Sequence, residues 1–134
     1  MTRTRQIRQG AVVVEFAIIA PLFFLVVFAM FEFSRVNVIR HTVDSAAYEA
    51  ARIAIVPGAT ATEAAAEANR ILNAVSARGA SVTVTPPNIG RRTTQVTVDV
   101  SVPMDQNAII IPRFTGGTTM QSSATLRTER VQTR

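Results

Sequence analysis

Residues Gly10 to Phe33 read GAVVVEFAIIAPLFFLVVFAMFEF, and from Ala11 to Phe31 only Glu15 and Pro21 interrupt the apolar residues. An α-helix rises about 1.5 Å per residue, so such a run covers roughly 30 Å, the thickness of a bilayer's hydrocarbon core. A core helix of a soluble domain is the competing reading. It fails on size, because a chain of 134 residues has no interior that could surround a helix apolar on every side. The stretch predicts a membrane-spanning helix over residues 11–33.

The flanks orient it. Arg3, Arg5 and Arg8 precede the run with no acidic residue among them. By the positive-inside rule this end stays cytoplasmic, so residues 1–10 form a basic leader and the rest is exported. A cleavable secretory signal would have a shorter apolar region, about 7–15 residues, ending at a small-x-small site. Here the run leaves the apolar zone through Phe31-Glu32-Phe33-Ser34-Arg35, which is bulky and charged. Ordinary signal cleavage does not fit.

Glu15 lies near the cytoplasmic start of the run, where an ionised carboxylate is costly and calls for a partner. Gly10 stands five residues before it, at the polar-to-apolar junction. A basic leader, Gly10, Ala11-Val12-Val13-Val14 and Glu15-Phe16 together resemble the processing motif of type IV prepilins. The resemblance implies cleavage between Gly10 and Ala11 by a prepilin peptidase on the cytoplasmic side, with the glutamate then fifth in the mature chain. Cleavage there would create an ammonium one helical turn from Glu15, or within reach of a neighbouring subunit's Glu15. Such a pair could set register during assembly. The plainer alternative is a Glu15 that snorkels to the interface and does nothing specific.

Over a longer stretch, QGAVVVEFAIIAPLFFLVVFAMFEFSRV, the chain resembles the TadE-like family, minor pseudopilins of tight-adherence (Tad/Flp) pilus systems. Val14-Glu15-Phe16-Ala17, Pro21 ahead of a Leu/Phe/Val run, and Glu32-Phe33-x-Arg35 carry the likeness. Asp44-Ser45-Ala46-Ala47-Tyr48-Glu49-Ala50-Ala51-Arg52 is similar to the alanine-rich helix that usually follows in that family. Ser34 is a departure, standing where the family often has glycine. The likeness implies a pilin-like α+β fold. It also implies, as partners, the inner membrane, the prepilin peptidase, other pilin or pseudopilin subunits and the assembly machinery.

Pro21 lacks an N–H to donate to the carbonyl of Ala17, and its ring crowds that carbonyl, which predicts a kink. The bend could help a subunit leave the bilayer, or it could be harmless. Past Phe33, Val36, Ile39, Val43, Ala47, Ala50 and Ala54 recur at steps of three and four, so a spine helix continues through residues 34–56. Asn37, Asp44, Ser45, Glu49 and Arg52 fall away from that stripe, and Glu49 with Arg52 makes an i,i+3 pair. Pro57-Gly58 ends the helix.

Residues 57–134 read as a small periplasmic α+β head. Thr60-x-x-Glu63 forms a capping box, and Ala61, Ala64, Ala65, Ala68, Ile71, Leu72 and Val75 predict a second helix from Ala61 to Ala77 with Gly79 as its C-cap. The period then changes to two. Val82 and Val84 suggest one strand; Val96, Val98, Val100 and Val102 make the clearest one, stopped by Pro103. Met120, Ser122, Ala124 and Leu126 suggest a third, weaker strand ahead of a polar tail from Arg127 to Arg134. The expected head is an antiparallel sheet of about three strands covered by two helices. In the last loop Ile109, Ile110, Ile111 and Phe114 either cap the open end of the sheet or form an exposed patch for another subunit or the membrane surface.

Chemistry is scarce. The chain has no cysteine and a single histidine, His41, set off the apolar stripe. Thiolate metal sites, disulfides and multi-histidine zinc chemistry are therefore unavailable. Asp99 and Asp105 lack an evident acid/base partner. Arg91-Arg92 read as solvated turn charges, and Gly116-Gly117 lacks the strand–helix context of a phosphate loop. No catalytic residue, cofactor or metal is expected. All the basic residues behind the net charge of +5 are arginine, and the leader arginines already serve orientation, so nucleic acid is not an expected partner. Three functions remain in view. The first is a minor pseudopilin. The second is an uncleaved single-pass scaffold of an envelope apparatus. The third is an anchored periplasmic binding domain that uses the Ile109–Phe114 region.

Overall fold

The computed structural model describes residues 3–109 and 116–128, with side chains from Gly10 onward. It shows an α+β chain ordered α1 (Arg3–Ala54), α2 (Ala61–Ala74), β1 (Ser81–Thr85), β2 (Gln95–Pro103), a 3-10 turn (Met104–Gln106) and β3 (Thr119–Arg127). By compactness the chain divides into two units, Met1–Ser34 and Arg35–Arg134. The helix α1 runs through the division.

Among the described residues the first unit is helix alone. Val12, Phe16, Ile18, Leu22, Phe23, Met30 and Phe33 are all exposed, as expected of a helix apolar all round and uncovered among the described residues. Phe23 and Phe24 meet edge to face, and Phe24 stacks on Phe28. Pro21 lies inside α1, which stays helical on both sides of it.

The second unit holds the core. The sheet is antiparallel in the order β1-β2-β3. Val98 of β2 faces Val84 on one side and Ala124 on the other, and Val100 faces Val82 and Ser122. Strand alternation turns Val96, Val98, Val100 and Val102 to one face, and all four are buried. They share one cluster with Ile39, Val43, Ala46, Ala47, Ala50, Ala51 and Ala54 of α1, with Ala64, Ala68 and Leu72 of α2, and with Met104. Burying each valine contributes about 1.5–3 kcal/mol relative to exposure, an upper figure because denatured chains are partly compact. The α1 face is wider than the stripe read from the sequence, since Ala46 and Ala51 are also buried. Alanine is small enough for surrounding groups to reach around the helix.

The opposite face of the sheet is polar. Thr83, Asp99 and Ser123 form one row across it, and Thr85, Thr97 and Thr125 form the next. Thr97 and Thr125 share a hydroxyl hydrogen bond of 2.9 Å.

The capping box of α2 is present in both directions: the Glu63 N–H donates to the Thr60 hydroxyl, and the Thr60 N–H donates to the Glu63 carboxylate. The end of α2 corrects the sequence reading. The helix stops at Ala74 rather than Ala77, and Gly79 is not its cap. Instead Ser76 takes φ +53°, the Ser76 N–H donates to the Asn73 carbonyl and the Ala77 N–H to the Leu72 carbonyl. These two bonds define a Schellman ending with serine in the position glycine usually takes. Exposed ion pairs dress both helices. Glu49 and Arg52 lie 3.8 Å apart, and Glu67 and Arg70 lie 2.5 Å apart. The Arg70 hydrogen bond holds the Glu67 carboxyl below its usual range.

Candidate functional site

Gly10 and Ala11 lie within α1, both exposed and both helical. A Cβ added at Gly10 would meet nothing within 4 Å, and its backbone has no left-handed φ. Glycine inside a helix costs roughly 1 kcal/mol relative to alanine. Among the described residues, no packing contact asks for glycine at this position.

One turn on, Glu15 is exposed between Val14, 60% exposed, and Phe16, 69% exposed. Among the described residues it has no hydrogen-bond or ion-pair partner. A carboxylate so placed is easily accommodated in water and costly in hydrocarbon. No described side chain relieves that cost. Glu32, at the far end of the apolar run, is by contrast only 7% exposed.

The apolar loop is only partly in view. Ile109 is 55% exposed, while Ile110, Ile111 and Phe114 lie outside the described residues. His41 is exposed, as are Arg91, Arg92 and Asp99. The Asp105 carboxylate accepts the Gly117 N–H at 2.7 Å, which places it in a turn contact. Among the described residues no group of three histidine, cysteine or acidic side chains could hold a metal ion.

A side chain to which the sequence assigned no role makes three hydrogen bonds in the second unit. Arg35 opens the second unit, and its Nη1 donates to the Val75 carbonyl at 2.9 Å, its Nη2 to the Ser76 carbonyl at 3.3 Å and its Nε to the Asn107 carbonyl at 3.4 Å. The last turn of α2 has no basic residue of its own. Arg35 supplies one from α1, satisfying carbonyls that the helix end leaves unpaired and meeting the negative end of its dipole.

Asn107 completes the arrangement. It is 5% exposed, so each of its polar atoms needs a partner. Its Nδ2 donates to the Arg78 carbonyl at 2.8 Å and the Pro103 carbonyl at 2.7 Å, while its Oδ1 accepts the Arg78 N–H at 2.8 Å. Arg35 and Asn107 thus tie the start of the second unit to the α2–β1 connection and to the turn after β2. The Glu32-Phe33-x-Arg35 pattern marked the arginine without giving it a role. Asn107, a lone asparagine in a loop, left no signal.

Among the described residues one helix, α1, is long and apolar enough to cross a membrane, and none of its most apolar window is buried. That exposure separates it from the core helix of a soluble protein, which would be covered. No curated protein and no solved structure matches the chain. The family model described as TadE-like protein does match, over residues 10–52, from the candidate processing glycine to the buried alanines of α1.

Proposed function

We propose that the chain is a minor pseudopilin of a tight-adherence pilus, cut between Gly10 and Ala11 by a prepilin peptidase. The TadE-like match links it to Tad/Flp pilus systems, whose TadE-like members are structural components rather than enzymes. The observation that carries the processing step is Gly10. It is a helix-interior glycine with open space around it, which the fold does not require and a glycine-selective peptidase would.

In this reading residues 1–10 stay cytoplasmic, residues 11–33 sit in the inner membrane, residues 34–56 extend the spine and residues 57–134 form a periplasmic head. The head would become extracellular if the subunit enters the filament. Cleavage leaves an ammonium on Ala11 one turn from Glu15, and the carboxylate pairs with it or with the terminus of a neighbouring subunit. Such pairing relieves the cost of a charge in hydrocarbon and favours one register over others. Pro21 gives the helix a point at which to bend as the subunit leaves the bilayer.

One observation favours a second reading, an uncut single-pass scaffold. The helix α1 begins at Arg3 and crosses the Gly10–Ala11 bond without a break. Intact mass and N-terminal sequence of the membrane-fraction protein, from cells with and without the prepilin peptidase, separate the two. A terminus at Ala11 that depends on the peptidase supports the pseudopilin. A chain that keeps its arginine leader in both samples supports the scaffold.

A further inference from the structure

The two edges of the sheet are unlike each other. The β1 edge is five residues long, Ser81–Thr85, and runs into Pro86-Pro87. Short length and proline are both devices that keep an edge from pairing. The β3 edge is nine residues long, Thr119–Arg127, and pairs with β2 in an unbroken register with no bulge. It contains no proline and no lysine, and its single charge, Arg127, stands at its end. No strand lies on its outer side among the described residues. About half of its backbone N–H and C=O groups therefore face outward with no ladder to join.

The core is also thin at this edge. The inward residues of β2 are all buried, whereas Met120, Ala124 and Leu126 of β3 pack on the cluster and stay half-exposed. An added strand would continue the inner face and cover them further.

We propose that β3 joins β3 of a second copy of this chain, antiparallel and centred on Ser123, making one continuous sheet across two heads. The sequence of the strand carries the choice of partner. In this register Met120 faces Leu126 of the other copy, Ser122 faces Ala124, Gln121 faces Thr125 and Ser123 faces itself. Large apolar residues meet on the inner face, and small residues meet beside them. On the outer face polar residues meet, and Arg127 lies opposite Thr119, so no like charges are brought together. A strand complementary to its own reverse suits a two-fold contact, in which the same patch serves both partners.

Because the chain has no cysteine, single cysteines test this directly in the full-length protein in its membrane. Residues facing each other across an antiparallel ladder have Cα atoms about 4.5–5.5 Å apart, within disulfide range. Ser123→Cys should therefore form a disulfide-linked dimer under mild oxidation. Thr119→Cys, whose own copy lies roughly 27 Å away along the ladder at about 3.4 Å per residue, should stay monomeric. Both positions are exposed on the polar face, so neither change disturbs the core. Monomer for both variants overturns the proposal. Equal dimer for both shows random collision and also overturns it. Capture by Ser123→Cys of a chain of different mass overturns the choice of a second copy.

Discussion

Phe16, Ile18 and Phe33 are 69%, 71% and 71% exposed, whereas Ile39, Val43 and Ala47 of the same helix are 0–1% exposed. Nothing in the backbone marks the change, since α1 is continuous from Arg3 to Ala54. What changes is the pattern of side chains. Between Ala11 and Phe33 apolar side chains stand on every side of the helix, and among the described residues most of them are exposed. From Arg35 onward they are apolar on one face, and that face is already buried in the core of the second unit. Burial is worth about 25 cal/mol per Å² of apolar surface, so the first half needs a lipid solvent as much as the second needs its sheet. One helix therefore serves two environments, and substitutions in its two regions should fail in different ways.

The sharpest test places the same change in each region. Val98→Asp puts a charge in the centre of the sheet with no partner, a cost on the order of 4 kcal/mol or more. Trypsin, which cuts after the chain's many arginines, should then digest the head while the chain stays in the membrane fraction. Val26→Asp, in the middle of the apolar run, should do the reverse. It should weaken insertion by about 2.5–3.5 kcal/mol and leave the trypsin resistance of the head intact. Matching outcomes for the two variants would break the comparison.

Asn107→Ala comes next. It removes the partners of the Arg78 N–H and of the Arg78 and Pro103 carbonyls. Leaving a buried polar group unsatisfied costs about 1–3 kcal/mol. The melting temperature of the detergent-solubilised chain should fall with membrane insertion unchanged. An unchanged melting temperature would show that water replaces the asparagine without loss.

The smallest expected effect is at Glu67. Its carboxyl is held below the usual range by the hydrogen bond from Arg70. A depressed folded-state pKa contributes stability above the unfolded value, near pH 4.3, and that contribution is lost as pH falls through the folded value. Glu67→Gln should therefore melt slightly earlier than the parent near neutral pH, with the difference closing in acid. Because the pair is exposed, the difference should be small. A large one would mean that the pair anchors α2 more firmly than its exposure allows.

Features governed by local periodicity were legible in the sequence. The apolar run, the alternating valines of β2, the alanine stripe of the spine and the Thr60–Glu63 capping box each follow from neighbours within a few residues. Features that depend on distant segments were not. Ser76 ends α2 in a left-handed conformation without the glycine that would announce it, and the first glycine after the helix, Gly79, lies beyond the true end. Asn107 and Arg35 are tied to residues 29 to 72 positions away, a separation no periodicity reports. The candidate site divides in the same way. Gly10, Ala11, Glu15 and Phe16 stand out because their spacing is local, while the role of Arg35 came into view only through the carbonyls it meets.

In the proposed topology the apolar run lies in the bilayer with the head on the far side. The most direct measurement is labelling of single cysteines by a membrane-impermeant maleimide in spheroplasts. Two variants of the cysteine-free chain suffice: Phe24→Cys in the run and Asn88→Cys in the exposed turn between β1 and β2. Asn88→Cys should be labelled in intact spheroplasts, and Phe24→Cys should be labelled only after the membrane is dissolved. Labelling of Phe24→Cys as readily as Asn88→Cys would place the run in water, and protection of Asn88→Cys would place the head inside the cell; either result contradicts this topology.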